Sequence, residues 1–139
     1  MGRETGTKKR CTAILLAGGQ GKRMGSRIQK QYLLIQDRPV LFYSLRTFER
    51  SEVIDDVVLV TGAGQTEYVR KEFVGKYHFT KVTHIVEGGR ERYHSVWEGL
   101  KAVRAEGDLQ DRYIFIHDSA RPFLTEEIIR RAYCDVQKY

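Results

Sequence analysis

The sequence of 139 residues has no hydrophobic run that could cross a membrane. A membrane-spanning helix needs about 20 consecutive apolar residues, whereas the first apolar run, Ala13–Ala17, ends at Gly18-Gly19. That run is also too short for the hydrophobic region of a signal peptide. We therefore predict a cytoplasmic protein with no membrane partner, in which residues 1–10 form a basic, polar tail.

Cysteine and histidine are too few and too scattered to suggest a zinc centre. The two cysteines, Cys11 and Cys134, lie near opposite ends of the chain, and the four histidines form no His-x-x-x-His pair. Zinc sites in proteins are usually built from closely spaced ligands of these types. We interpret each cysteine as a buried, reduced thiol.

Acidic residues are outnumbered by basic ones, 18 against 24, which gives a net charge of +6. Such an excess suits a nucleic-acid surface, an anionic small substrate or merely a basic exterior. No recognised nucleic-acid module or aromatic platform accompanies the charge, so we expect no nucleic-acid partner. Four of the cations instead cluster in one loop, as Lys22, Arg23, Arg27 and Lys30.

Four segments rich in Val, Ile and Leu show little polar alternation, which is typical of strands buried on both faces of a parallel sheet. These segments are Thr12–Ala17, Asp56–Thr61, Val82–Val86 and Tyr113–His117. A segment with helical spacing follows each of them, beginning near Pro39, Tyr68, Arg92 and Thr125. The alternation predicts an α/β fold, a doubly wound, mainly parallel sheet with helices on both faces.

The predicted helices differ in how clearly their ends are marked. Pro39 suits the first position of a helix, and Thr125 suits an N-cap because Glu126 and Glu127 follow it at the positive end of the helix dipole. The last helix runs to Tyr139 without a cap or a following strand. We therefore expect a sheet that is incomplete at the C-terminus, in the N-terminal part of a longer protein.

Glycines and cations follow the first predicted strand, in the sequence AGGQGKRMG. Ligands of open parallel sheets bind beyond the carboxyl ends of the strands. The loop matches neither the dinucleotide fingerprint nor the Walker A motif, because Met24 and Arg23 stand where those motifs need glycine and Ser or Thr. Glycines nevertheless let backbone amides approach an anion closely. With the four cations, they predict a polyphosphate site rather than a solvated turn.

Polar residues also follow the third and fourth predicted strands. Asp118 can hold Mg²⁺, which prefers oxygen ligands and accompanies nucleotide triphosphates, or it can stabilise a turn. Arg121 can bind phosphate through its planar fork, or it can form a surface ion pair. Gly88-Gly89, with Ser95 close behind, forms either a simple loop or a contact to a base or sugar.

Three blocks of sequence together resemble one enzyme family. The blocks are LLAGGQGKRMGSRIQKQYLLIQDRPVL, VEGGRERYHSVWEGL and HDSARPFLT. In order and spacing they are similar to the 2-C-methyl-D-erythritol 4-phosphate cytidylyltransferases of the non-mevalonate isoprenoid pathway, and the likeness covers residues 11–139. The resemblance implies a Rossmann-like nucleotidyltransferase domain over this range. It also implies a reaction in which the substrate's phosphate oxygen attacks the α-phosphate of CTP, assisted by Mg²⁺, and pyrophosphate leaves.

The resemblance also implies roles for individual residues. The implied nucleotide-binding residues are Ala17, Gly18, Gly19, Gly89, Arg90, Ser95 and Ser119. Arg23 and Lys30 are implied to be catalytic, because they would stabilise the charge that builds on the α-phosphate and its leaving group. Asp118 is implied to bind Mg²⁺, and Arg121 to reach the substrate phosphate in the partner subunit of a homodimer.

The chain departs from the family pattern in three ways. Gln29 stands where the family usually has proline, and Tyr93-His94 replaces a commoner Gln-Asp pair. The family's chain also continues well beyond residue 139, into a dimerisation arm, much of the sugar-phosphate site and a further catalytic lysine. Two alternatives therefore stay open: a ribitol 5-phosphate cytidylyltransferase, and a nucleotide-binding fragment without activity.

Overall fold

The structure, a computed structural model, describes residues 8–17, 34–35, 38–107, 111–119 and 124–138. In chain order, the elements of these ranges are β1 Arg10–Ala17, β2 Leu34–Ile35, β3 Arg38–Pro39, α1 Val40–Arg50, β4 Asp56–Thr61, α2 Thr66–Val69, β5 Val82–Glu87, α3 Arg92–Arg104, β6 Arg112–Asp118 and α4 Glu126–Lys138. A π-helical segment, Arg70–Gly75, continues α2. None of the helices described is long and apolar enough to cross a membrane.

Four of the strands form one parallel sheet in the order β5-β4-β1-β6. Strands β2 and β3 pair with each other, antiparallel, as a separate two-stranded sheet. Strand β1 is central because it is apolar from Cys11 to Leu16 except at Thr12, and each residue from Cys11 to Ala17 is buried. The predicted parallel sheet is confirmed, and the strand ends differ from the predicted ones by at most two residues.

Alternate residues of the central strands point to opposite faces of the sheet. On one face Leu15 of β1 and Leu59 of β4 lie in a core with α1, Phe73 of the π-helical segment and Ile129 of α4. On the other face the next residues along, such as Ile14 and Val58, pack against α3. Helices therefore cover both faces, as predicted.

The order of the strands places a crevice beside β1. From β1 the chain passes through α1 to β4 and then to β5 on the same side, whereas α3 leads back to β6 on the other side. The direction of winding therefore reverses between β1 and β6. Ligands of doubly wound sheets bind at such a switch point, outside the carboxyl ends of the strands.

Two predicted helix starts have different outcomes. Thr125 caps α4, because its Oγ1 accepts a hydrogen bond of 3.2 Å from the Ile128 N–H. Pro39 is not the first helical residue: it pairs with Leu34 in the small sheet, and α1 begins at Val40. A proline at the edge of such a short ladder loses little, since it has no N–H to donate.

The two cysteines differ in burial. Cys11 is fully buried in β1 as a free thiol, so the prediction of a buried, reduced thiol is confirmed there. Burial also raises the pKa of this thiol. Cys134 is exposed, and the prediction was wrong. In α4, Ile129 and Tyr133 are four residues apart and contribute to the core, so the next residue, Cys134, is turned away from it.

Candidate functional site

The carboxyl ends of the parallel strands lie side by side. The register pairs Ala17 of β1 with Thr61 of β4, and Thr61 with Glu87 of β5. On the other side of β1, Asp118 of β6 pairs with Leu16. The carboxyl ends of β1, β5 and β6, each of which is followed by predicted ligand-binding residues, therefore lie at the same end of the sheet.

Backbone hydrogen bonds fix the first residue of two of these loops. The Gly88 N–H donates to the Thr61 carbonyl at 2.7 Å, and the Ser119 N–H donates to the Leu16 carbonyl at 2.9 Å. Each loop residue is thereby held against the neighbouring strand.

The turn between β5 and α3 needs two glycines because the helix approaches it closely. A β-carbon on Gly88 would lie 2.3 Å from Ser95 Oγ and 2.9 Å from Val60 Cγ1. A β-carbon on Gly89 would lie 2.3 Å from the His94 β-carbon. Neither contact is sterically possible, so only glycine lets the first turn of α3 pack on this loop.

His94 has a structural role in the same turn. The Glu91 N–H, at the N-cap of α3, points to His94 Nδ1 at 3.4 Å. A side chain at the third helical position that reaches back to the N-cap N–H satisfies one of the donors left free at a helix start. The Tyr93-His94 pair, which has no interpretation from sequence, therefore supplies part of a helix cap.

Asp118, the predicted metal ligand, has a cationic partner. Arg92 Nε lies 3.3 Å from Asp118 Oδ1, and the two side chains are 60% and 35% exposed. Arg92 is the first residue of α3, so this contact joins the loop after β5 to the end of β6 across the switch point. The Asp118 carboxylate is accessible and, among the described residues, contacts the guanidinium of Arg92.

The other predicted site residues in the described ranges differ in how far they are exposed to solvent. Ala17 and Ser119 are buried at 1% exposure each, and Ser95 is buried at 6%. Arg90 is exposed in the loop between β5 and α3. The structure therefore brings buried small residues and one exposed cation to the same edge of the sheet as Asp118.

Five predicted site residues lie outside the described residues. They are Gly18, Gly19, Arg23, Lys30 and Arg121. Their roles in binding polyphosphate and substrate remain predictions.

Two residues at this edge were not singled out from the sequence. Arg92 contacts Asp118, and the Glu87 carboxylate accepts a hydrogen bond of 2.9 Å from the Gly64 N–H in the turn after β4. Both carry charge, but charged residues are common around strand ends and helix starts. The sequence signals for Arg92 are its place in the second of the three family-like blocks and its position at the start of a helix, where a cation is unfavourable.

The arrangement can hold an anion together with a divalent cation. The amino end of α3 carries a partial positive charge, and Arg90, Glu91 and Arg92 beside it add a net formal charge of +1. No group of three or more metal-ligating side chains occurs in the described ranges. Mg²⁺, however, is commonly held by only one or two carboxylates and the phosphates of its nucleotide, so the single carboxylate of Asp118 fits this ion.

Comparison with known proteins points to one family. The family model described as 2-C-methyl-D-erythritol 4-phosphate cytidylyltransferase matches residues 11–138. A protein of that name from Lachnospira eligens is 50% identical over 118 residues, which are 85% of this chain and 49% of the relative. Its counterpart from Lachnoclostridium phytofermentans is 44% identical over 130 residues, 94% of this chain and 53% of the relative.

A solved structure agrees with these relatives. The crystal structure of 4-diphosphocytidyl-2C-methyl-D-erythritol synthase from Anaerococcus prevotii is similar with a TM-score of 0.75 and 30% sequence identity. The similarity covers 94% of this chain and 52% of that chain. The chain spans about half the length of the curated relatives it matches.

Proposed function

The chain belongs to the 2-C-methyl-D-erythritol 4-phosphate cytidylyltransferase family, and from that membership we propose that it contributes the nucleotide-binding part of such an enzyme. The reaction joins CMP from CTP to the phosphate of 2-C-methyl-D-erythritol 4-phosphate and releases pyrophosphate. One observation carries the proposal: the glycine turn Gly88-Gly89 with the buried Ser95, and the accessible Asp118, lie at the carboxyl ends of β5 and β6, and the Arg92–Asp118 contact joins the two across the switch point of the sheet.

We propose that the base and ribose of CTP bind at the turn after β5. Gly88 and Gly89 make room for the first turn of α3, and Ser95 of that turn lies directly behind them. Ser119 lies at the end of β6, on the other side of β1. In this proposal the backbone N–H and C=O groups of Gly89 and Arg90 hydrogen-bond to the polar edge of the base.

The triphosphate would lie toward β1 and β6. Ala17 marks the carboxyl end of β1, and Gly18 and Gly19 follow it in sequence. In this proposal Arg23 and Lys30 stabilise the charge that develops on the α-phosphate and its leaving group, and Arg121 binds the phosphate of the second substrate. Nucleotidyl transfer needs little covalent help, so positioning and charge stabilisation provide most of the rate enhancement.

Asp118 is the residue that would hold Mg²⁺. Its carboxylate is at the edge of the sheet and 35% exposed, which leaves it open to an ion that arrives with a nucleotide. A bound divalent cation draws charge from phosphate oxygens and neutralises the leaving pyrophosphate. We also propose that the working enzyme is a cytoplasmic homodimer.

The test of nucleotide recognition is a calorimetric titration of this chain with CTP, ATP, GTP and UTP, each with Mg²⁺. Selective CTP binding supports a site for cytosine and phosphate built from these residues. Equal affinity for all four nucleotides reduces the proposal to a polyphosphate site. Absence of binding by the folded chain contradicts the proposal for this chain.

The test of the reaction is pyrophosphate release from CTP, with 2-C-methyl-D-erythritol 4-phosphate or ribitol 5-phosphate as acceptor. Faster release with the first acceptor supports the proposed substrate, and faster release with ribitol 5-phosphate supports the alternative enzyme. Selective CTP binding without release from either acceptor supports a nucleotide-binding module that has no activity by itself.

A further inference from the structure

The contact between Arg92 and Asp118 is weak for an ion pair. Its Nε–Oδ1 distance of 3.3 Å lies beyond the usual range for such hydrogen bonds. Arg92 is more than half exposed and Asp118 about one-third exposed, so water screens the attraction. A contact of this kind can be exchanged for another partner at little cost.

The position of Arg92 gives no benefit to the helix it begins. A cation in the first turn of a helix is repelled by the positive end of the dipole, and the acidic residue at this helix start, Glu91, is the N-cap, whose side chain accepts from the backbone of the first turn. The Arg92 guanidinium instead contacts Asp118, across the switch point. A second cation at Asp118 would compete with this contact.

We propose that Arg92 is a positioning residue that holds the Asp118 carboxylate until Mg²⁺ arrives with the nucleotide, and that Arg92 then contacts the phosphates. The proposal rests on the proposed function, since it assumes that Asp118 binds the metal ion. An arginine competes with a divalent cation for the same carboxylate oxygen. Once displaced, its planar guanidinium stays beside the metal-bound phosphates, to which it can donate two hydrogen bonds.

The proposal predicts two effects of opposite sign in Arg92→Ala. The affinity for a divalent cation alone should rise by about two- to fivefold, because a competing cation of modest strength has been removed. The affinity for CTP with Mg²⁺ should fall by about tenfold, because a charge-assisted contact to phosphate has been lost. A variant that merely disturbs the fold would weaken both.

The metal-alone affinity can be measured with Mn²⁺ in place of Mg²⁺. Mn²⁺ broadens the amide resonances of nearby residues, so the midpoint of broadening for the Arg90 and Ser119 amides reports on binding at Asp118. Calorimetry gives the affinity for CTP with Mg²⁺. Arg104→Ala, which removes an exposed arginine at the other end of α3, is the matched control and should change neither value.

Arg92→Lys keeps the positive charge. Its midpoint for Mn²⁺ alone should equal that of the wild type, and its affinity for CTP with Mg²⁺ should lie between those of Arg92→Ala and the wild type.

The outcomes separate this inference from the proposed function. Opposite shifts in Arg92→Ala, absent from Arg104→Ala, support it. An unchanged or weaker Mn²⁺ midpoint in Arg92→Ala overturns it while leaving CTP binding intact. If the wild-type chain binds no nucleotide and Mn²⁺ broadens neither amide, the proposed function and the inference fail together.

Discussion

The two ends of the same parallel sheet use charge in different ways. At the amino end, Asp56 is buried and accepts hydrogen bonds from Arg10 Nε at 2.9 Å and Thr12 Oγ1 at 2.6 Å. Arg112, whose side chain is 8% exposed, donates to Thr12 Oγ1 at 3.0 Å. At the carboxyl end, the Arg92–Asp118 pair is exposed and long.

A lysine shows the same pattern at the amino end. Lys81 Nζ donates to the carbonyls of Ser51 at 2.5 Å and Ile54 at 2.7 Å, which follow the C-terminus of α1. These carbonyls have no helical partner, and a cation there also complements the helix dipole. Asp56, Arg112 and Lys81 at the amino end thus hold the fold together, whereas the exposed Arg92–Asp118 pair at the carboxyl end can be exchanged for other partners. We infer that stability depends on the first end and ligand binding on the second.

The largest expected effect is at the amino end. Asp56→Ala should lower the free energy of unfolding by about 3 kcal/mol, because Thr12 and Arg10 lose a buried charged acceptor. Urea unfolding measures this loss, and the affinity of the remaining folded protein for CTP should not change. Glu52→Ala, which removes the exposed partner of Arg130, is the control and should cost less than about 1 kcal/mol. Equal losses of unfolding free energy in Asp56→Ala and Glu52→Ala would contradict the inference that stability depends on the buried charges at the amino end.

Gly89→Ala should lower both the stability of the fold and the affinity for CTP, because the turn that contains Gly89 is part of the packing of α3 and of the proposed nucleotide site. The added carbon would lie 2.3 Å from the His94 β-carbon, so the first turn of α3 must move. We expect a loss of about 2 kcal/mol in unfolding free energy, together with loss of CTP binding. Gly75→Ala is the control, because its added carbon has only the Arg70 carbonyl nearby, at 3.3 Å. Retention of normal CTP affinity in Gly89→Ala would remove the turn from the nucleotide site.

Asp118→Asn should change binding with little effect on stability. The exposed pair with Arg92 contributes less than about 1 kcal/mol, but the amide cannot replace the carboxylate as a ligand for Mg²⁺. CTP titrations with and without Mg²⁺ should then give the same affinity for the variant. Asp111→Asn, at the amino end of the same strand, is the control and should keep the metal dependence. A metal dependence that survives in Asp118→Asn would return this residue to the role of a turn stabiliser.

The smallest effect concerns acid stability near the amino end of the sheet. Burial disfavours the Glu49 carboxylate, but hydrogen bonds from the Thr80 hydroxyl and the Lys81 N–H outweigh it and lower the pKa below its ordinary value of 4.5. The folded state therefore binds a proton less readily than the unfolded chain. The stabilisation is present above about pH 4.5 and is lost as the pH falls through the lower, folded-state pKa.

Glu49→Gln should remove this part of the pH dependence. Unfolding free energies measured between pH 3 and pH 6 (a range of about three units around the carboxylate pKa) should fall less steeply toward acid in the variant. Glu72→Gln, at an exposed position of the π-helical segment, is the control. An unchanged acid slope in Glu49→Gln would mean that the Thr80 and Lys81 contacts do not favour the charged form.

Much of the fold could be predicted from local sequence. The strands β1, β4, β5 and β6 are apolar runs with little alternation, which predicts their place in a parallel sheet. The predicted burial on both faces is confirmed for β1 and β4 but was wrong for β5 and β6, which lie at the edges of the sheet and are only partly buried. Thr125 could be assigned as an N-cap because its hydroxyl bonds to a backbone amide only three residues away. Patterns that depend on neighbours within one turn of the chain are readable without tertiary structure.

Burial of single side chains was less predictable. Cys134 is as apolar as Cys11, but its exposure depends on which face of α4 meets the sheet. Pro39 fits a helix start by its restricted backbone, but its pairing with Leu34 belongs to the small sheet β2–β3. In each case, the environment of the residue depends on a neighbour that belongs to another helix or strand.

The strand–helix order, the glycine turn after β5 and the acidic residue at the end of β6 can be predicted from neighbouring residues alone, because each is a local pattern. The contact of Arg92 with Asp118, 26 residues away, could be found only in the folded chain. That contact requires α3 to cross from β5 to β6 over the face of β4 and β1, and the strand order follows from packing over the whole sheet.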